Sequence, residues 1–132
     1  MQGLQHGEGG GGGGQQVVSS APPLTVNTDP ARCADAHYSF RQLLFGSVSY
    51  ASTILAGKRY MSTLAHLPML SHPDPRNALL VCFGTGVTAG AFTRYAELES
   101  LVAVDLNREV FELAPRFAEA NAHVLEDPRT ER

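Results

Sequence analysis

No stretch of this sequence stays apolar for the roughly 20 positions that a membrane-crossing helix requires. The N-terminus lacks a basic segment followed by an apolar one, so no secretory signal is expected. An excess of one charge is missing too: 10 Lys and Arg stand against 13 Asp and Glu, for a net charge of −3. That balance argues against a nucleic-acid binder held by a basic surface. Cysteine is scarce. Cys33 and Cys82 are far apart, and Cys82 lies inside an apolar run, which reads as a buried reduced thiol. His66 and His72 have no further ligand near them in sequence, so no metal site is expected. These absences together place the chain in a reducing, cytoplasmic setting, with no membrane segment and no nucleic-acid partner.

What is present fits one domain, and not all of the 132 residues belong to it. Eight of the first fourteen residues are Gly, and Pro22, Pro23 and Pro30 follow. Glycine has the largest backbone entropy to lose and no side chain to bury, so residues 1–36 are expected to be a disordered Gly/Pro-rich tail. Residues 37–132 remain as a folded part near the small end for a self-sufficient core. The hydrophobic content of 43% excludes disorder over the whole chain.

Within residues 38–60 apolar positions partly alternate, which suggests a short strand or hairpin arm with Ala56-Gly57-Lys58 as a turn. Met61, Leu64, Ala65 and Leu67 recur at helical spacing and predict a helix over 59–71, kinked or ended by Pro68. His72-Pro73-Asp74-Pro75 is a rigid turn. The continuous apolar run 78–83 suits a strand buried on both faces. Gly84-Thr85-Gly86 follows at once, then a helix over 88–95 whose Ala89, Gly90 and Ala91 are small enough to pack closely on a sheet. Residues 101–104 form a second apolar strand, ended by Asp105. Asn107 caps a helix that Pro115 should bend. Strand, glycine turn, helix, strand, helix is a βαβα unit and predicts a doubly wound α/β sheet.

The glycines between strand and helix carry the chemistry. They allow a tight turn and let backbone approach a ligand, with the N–H groups of the following helix behind them. Asp105 stands 21 positions after Gly84, the place of a carboxylate that accepts both hydroxyls of an adenosine ribose. Gly84, Gly86 and Ala89 also satisfy the dinucleotide pattern G-x-G-x-x-G/A, so NAD and an S-adenosyl ligand both remain open on spacing alone.

Residues 60–121 resemble the spermidine synthase family of aminopropyltransferases, and are most similar to its divergent spermidine synthase-like branch. His66-Leu67-Pro68-Met69-Leu70-Ser71-His72-Pro73-Asp74-Pro75 is similar to that family's HxPxxxHPNP run. Phe83 through Gly90 resembles the branch's glycine loop, and Asn121 through Arg129 resembles its N…VLxDPR stretch. The resemblance implies a Rossmann-like fold of the S-adenosylmethionine-dependent methyltransferase type, truncated after the second βα unit. It implies transfer of an aminopropyl group from decarboxylated S-adenosylmethionine to an amine. Gly84, Thr85, Gly86, Asp105 and Leu106 would then hold that nucleotide or S-adenosylmethionine itself, and no metal takes part. His66 and His72 would be hydrogen-bonded structural partners.

Two departures bear on the acceptor. The family's YHE motif is Tyr60-Met61-Ser62 here, and the acid in its glycine loop is Thr85. A cationic polyamine needs such acceptors to replace its lost water, so polyamine recognition is doubtful. The family's catalytic acid belongs to a later strand, so no catalytic residue is assigned and the chain alone is expected not to turn over. The other readings are a non-catalytic S-adenosyl-binding or self-associating module and an NAD-binding piece of an oxidoreductase. The His-Pro run has no reason to exist in the last of these. Open edges of a small parallel unit invite pairing with another copy, so a homo-oligomer is expected.

Overall fold

One long helix divides the chain into an antiparallel part before it and a parallel part after it. The structure, a computed structural model, describes residues 24–27, 40–46 and 48–132. Strands β1 (Leu24–Asn27), β2 (Gln42–Phe45) and β3 (Val48–Ser52) form an antiparallel sheet in the order β1-β2-β3. The β2–β3 turn carries Gly46 at φ +60°, a conformation that glycine adopts without steric penalty. β1 falls inside the segment expected to be a tail; its Leu-Thr-Val run suits the pleated strand that β2 offers a place beside. The rest of residues 1–36 lies outside the described residues, as does Cys33.

Helix α1 (Leu55–Ser71) starts four residues earlier than the periodicity predicts. Ala56-Gly57-Lys58 is therefore helix and not turn. The glycine there has a different cause: a Cβ on Gly57 would lie 2.8 Å from the Ser52 carbonyl oxygen, so only glycine lets the helix start this close to β3. Pro68 does not end α1. The helix runs on to Ser71, and the His72 N–H donates to the Pro68 carbonyl at 2.9 Å. A proline this close to the C-terminus removes one donor without disturbing the turns that matter for packing.

The parallel sheet has the order β4-β5-β6, from β4 (Asn77–Val81), β5 (Ser100–Val104) and β6 (Thr130–Glu131). A third parallel strand thus begins where the βα pattern of the sequence breaks off. The sheet's buried side is built from Leu101 and Ala103, both fully buried, against Phe92, Val110 and Phe117. Burying a side chain such as Phe117 contributes about 2–3 kcal/mol. Helix α2 (Val87–Phe92) is buried along its whole length and packs chiefly on α1. Gly90 serves a neighbour other than the sheet, since a Cβ there would lie 2.1 Å from the Asn121 carbonyl oxygen.

Pro115 does more than bend the last helix. The segment divides into α3 (Glu109–Leu113), a 3-10 turn (Ala114–Phe117) and α4 (Ala118–Asn121). Asn107 caps it as expected, its Oδ1 accepting the Glu109 N–H at 2.9 Å. Ala122 and His123 then take left-handed backbone (φ +55° and +54°) and stop α4.

The apolar run 78–83 is not buried on both faces. Burial alternates along β4, with Leu79 66% and Val81 64% exposed, because one face of this edge strand is left uncovered. Cys82, just beyond it, is an exposed free thiol and not a buried one. An uncharged edge with exposed Leu and Val is a template for association. The Leu79→Lys variant is expected to sediment with less concentration-dependent association than the parent. A parent that is monodisperse at every concentration would contradict this. No helix among the described residues is long and apolar enough to cross a membrane.

Candidate nucleotide site

The carboxyl ends of β4 and β5 meet at one place, and the site is built there. Beyond Val81 the ladder continues for one bond, Cys82 N–H to the Val104 carbonyl at 2.9 Å. Cys82 itself turns to φ +72°, a rare conformation for a residue with a side chain. Gly84 (φ +58°) and Gly86 (φ +79°) complete the turn. The two glycines are required for different reasons. On Gly86 a Cβ would lie 2.6 Å from the Phe83 ring, so the turn closes only without one. On Gly84 it would meet only the Ala51 methyl, at 3.7 Å, so this glycine is set by its φ and leaves its flank open.

Asp105 organises the loop. Its Oδ2 accepts the N–H groups of Phe83 at 2.8 Å and Gly84 at 3.3 Å, and its Oδ1 accepts the N–H of Asn107 at 3.0 Å. One carboxylate thus ties the end of β5 to the loop after β4 and to the start of the α3 segment. On one side of it lies an apolar cleft of about 420 Å³ whose walls include Val48, Tyr50 and Leu106. On the other a cleft of about 400 Å³ runs to Arg108, Phe111 and Arg132. Burial, reinforced by the nearby Asp105 and Cys82, pushes the Tyr50 phenol above its ordinary value of 10.0.

The five residues singled out in the sequence converge here, in unequal ways. Gly84 and Gly86 shape the loop, Asp105 anchors it, and Leu106 projects fully exposed beside the cleft. Thr85 is fully buried and turned away: its hydroxyl donates to the Met61 sulfur at 3.6 Å. Only its backbone faces the loop. Thr88, one turn on, donates to the Met61 carbonyl at 3.0 Å. The helix behind the loop, α2, is six residues long, so its dipole contributes less than the longer helix expected over 88–95 would.

His66 and His72 are both hydrogen-bonded. The His66 Nδ1 and the Tyr95 hydroxyl are 2.8 Å apart, and the His72 Nδ1 accepts the Asp74 N–H at 3.1 Å. Among the described residues no group of three or more His, Cys, Asp or Glu is placed to hold a metal ion.

Two further contributors stand outside those five residues. Tyr50 comes from the hairpin, far from the glycines in sequence, and nothing in its own neighbourhood marks it. Asn121 is buried, donating from Nδ2 to the Thr85 carbonyl at 3.1 Å and to the Ala114 carbonyl at 3.0 Å. Its one sequence signal is a polar residue at the head of the stretch that ends in Asp127-Pro128-Arg129.

Comparison with known proteins gives a consistent result. The spermine/spermidine synthase domain matches residues 57–131. The chain is 38% identical over 73 residues to a polyamine aminopropyltransferase of Nitrosomonas europaea, covering 54% of this chain and 22% of that protein. It is 34% identical over 70 residues to polyamine aminopropyltransferase 1 of Aquifex aeolicus, covering 53% and 25%. The matched segment therefore spans about a quarter of these relatives' length. Among solved structures, a spermidine synthase in complex with the transition-state analogue AdoDATO superposes with a TM-score of 0.68 at 20% identity, over 86% of this chain and 36% of the other. The spermidine synthase of Thermotoga maritima gives 0.60 at 23% identity, over 69% and 32%. The shared architecture is a methyltransferase-like α/β fold with a parallel sheet.

Proposed function

Because the chain belongs to the spermine/spermidine synthase domain family, we propose that its glycine loop and Asp105 hold the adenosyl part of decarboxylated S-adenosylmethionine, the donor in an aminopropyl transfer. The Asp105 carboxylate is the observation that carries this reading. It lies at the carboxyl ends of two parallel strands, the usual place for a ligand in an open α/β sheet. An ionised carboxylate has about four acceptor positions. Three are used by backbone N–H groups, and the contact to Gly84 is long at 3.3 Å. A ribose with two hydroxyl donors takes the free position and displaces that long contact. Leu106 and Tyr50 offer apolar surface for the base beside it.

In the transfer, an acceptor nitrogen attacks the carbon next to the sulfonium. The C–S bond breaks with its electrons on sulfur, methylthioadenosine leaves, and the new ammonium gives up a proton. No described residue is assigned as the base for that proton. The acceptor is not proposed to be a polyamine on the strength of this loop. Thr85 and Met61 are neutral and spend their polar atoms on each other, whereas a polyammonium chain needs carboxylates.

The test is calorimetric titration of the chain with decarboxylated S-adenosylmethionine, S-adenosylmethionine, methylthioadenosine and NAD, with Asp105→Ala as control. Binding of an S-adenosyl ligand is expected, lost by tenfold or more (~1.4 kcal/mol) in the control. Tighter binding of NAD than of all three others would overturn the assignment, as would unchanged affinity in Asp105→Ala.

A further inference from the structure

Asn121 reaches the glycine loop through its side-chain amide. Its amide donates to the carbonyl of Thr85, the residue between the two glycines, at 3.1 Å, and to that of Ala114 at 3.0 Å. Its Oδ1 accepts the His123 N–H at 3.1 Å, which fixes the amide's orientation. All three bonds are satisfied in a side chain only 2% exposed. Its Cβ would lie 3.2 Å from a Cβ on Gly86, and its backbone oxygen sits against Gly90. The loop is held from the opposite side by α1, where Thr85 and Thr88 both donate to Met61.

We propose that Asn121 is a positioning residue for the nucleotide loop: by holding the Thr85 carbonyl it sets the peptide planes of Gly84 to Gly86, and through them the amides that Asp105 and a ligand share. The chemistry selects asparagine. Two carbonyls must be met by two donors on one planar group while the same group accepts a third N–H. Aspartate has the shape but sets a negative charge against two carbonyl oxygens. Serine has a single donor and a shorter reach. A buried network of this kind is rigid when complete and costly when partly satisfied. The ligand side of this inference rests on the nucleotide reading above; the loop side does not.

The experiment therefore has two arms, on the full chain with Asn121→Asp and Asn121→Ser. The first is amide hydrogen exchange without ligand. Exchange at Phe83, Gly84 and Gly86 is expected to rise on the order of tenfold over any rise at Leu101 and Ala103 in β5. A uniform rise at all five amides means general destabilisation and overturns the proposal. The second arm is titration with methylthioadenosine at a temperature where each variant is folded. Affinity is expected to fall by about tenfold; unchanged affinity with a merely lowered melting temperature overturns the ligand side. If the parent chain binds no adenosyl compound, the nucleotide reading fails, and the exchange arm alone decides the role of Asn121. If Asn121→Asp does not fold, the serine variant, which adds no charge, carries both arms.

Discussion

Gly90→Ala is expected to remove about 3 kcal/mol of stability or to prevent folding outright, with the urea midpoint of the far-ultraviolet signal as the measure. The added methyl carbon would lie 2.1 Å from the Asn121 carbonyl oxygen, 2.5 Å from its carbon and 3.1 Å from its Cα. All three are backbone atoms, so no rotamer change relieves the clash. Either α2 or α4 must move, and α2 is buried between α1 and the sheet. Small domains are stabilised by a net 5–15 kcal/mol, toward the lower end at this size, so the loss would be a large share. Gly84→Ala is the informative contrast. Its methyl has room, and the cost is only that of a side chain at φ +58°, about 1–2 kcal/mol. Equal midpoints for the two variants would show that α4 does not press on α2 as described.

Arg129→Ala is expected to cost about 2 kcal/mol and to loosen the connection between α2 and β5. The guanidinium donates to the carbonyls of Thr93 (2.7 Å), Tyr95 (3.0 Å) and Leu98 (3.3 Å) while forking onto both oxygens of Asp127. The figure allows for water replacing part of this, since the two side chains are 28% and 18% exposed. Lysine should not rescue the loss, because a single ammonium cannot reproduce the planar fork. The pair also sets a pH dependence. The hydrogen-bonded Arg129 holds the Asp127 carboxyl below its ordinary value of 3.8. A carboxyl depressed in the folded state contributes stability that is fully present above 3.8 and lost as pH falls through its folded value. The parent should therefore lose stability in that acid range more steeply than Asp127→Asn. Identical slopes would sink the argument.

The site was legible where its chemistry is local. Gly84, Gly86 and the register of Asp105 are fixed by turn geometry and strand length, and both leave a mark within about 20 residues. Burial was less legible. The run 78–83 looks uniformly apolar, but whether a strand has one covered face or two depends on what packs against the two sides of the sheet, which its own residues do not state. Gly57 misled for a related reason: a glycine needed for close approach to the Ser52 carbonyl has the same one-letter signature as a glycine needed for a turn. Arg129 and Asn121 reach carbonyls as far as 36 positions upstream, and a backbone oxygen has no sequence identity for a pattern to find.

The bond between Asp105 and the loop amides has a consequence for the order of events during folding. Its partners are 21 and 22 positions apart and face each other only when β4 and β5 lie side by side. A parallel pair cannot form by local zipping, because the crossover must close first. The β2–β3 hairpin is free of that requirement and can form within about 1–10 μs. The loop is consequently among the late features of the chain, and any intermediate with hairpin and α1 in place but the parallel sheet unmade has no cradle. A ligand that reads this cradle distinguishes native molecules from such intermediates, and by mass action draws the population toward the native form.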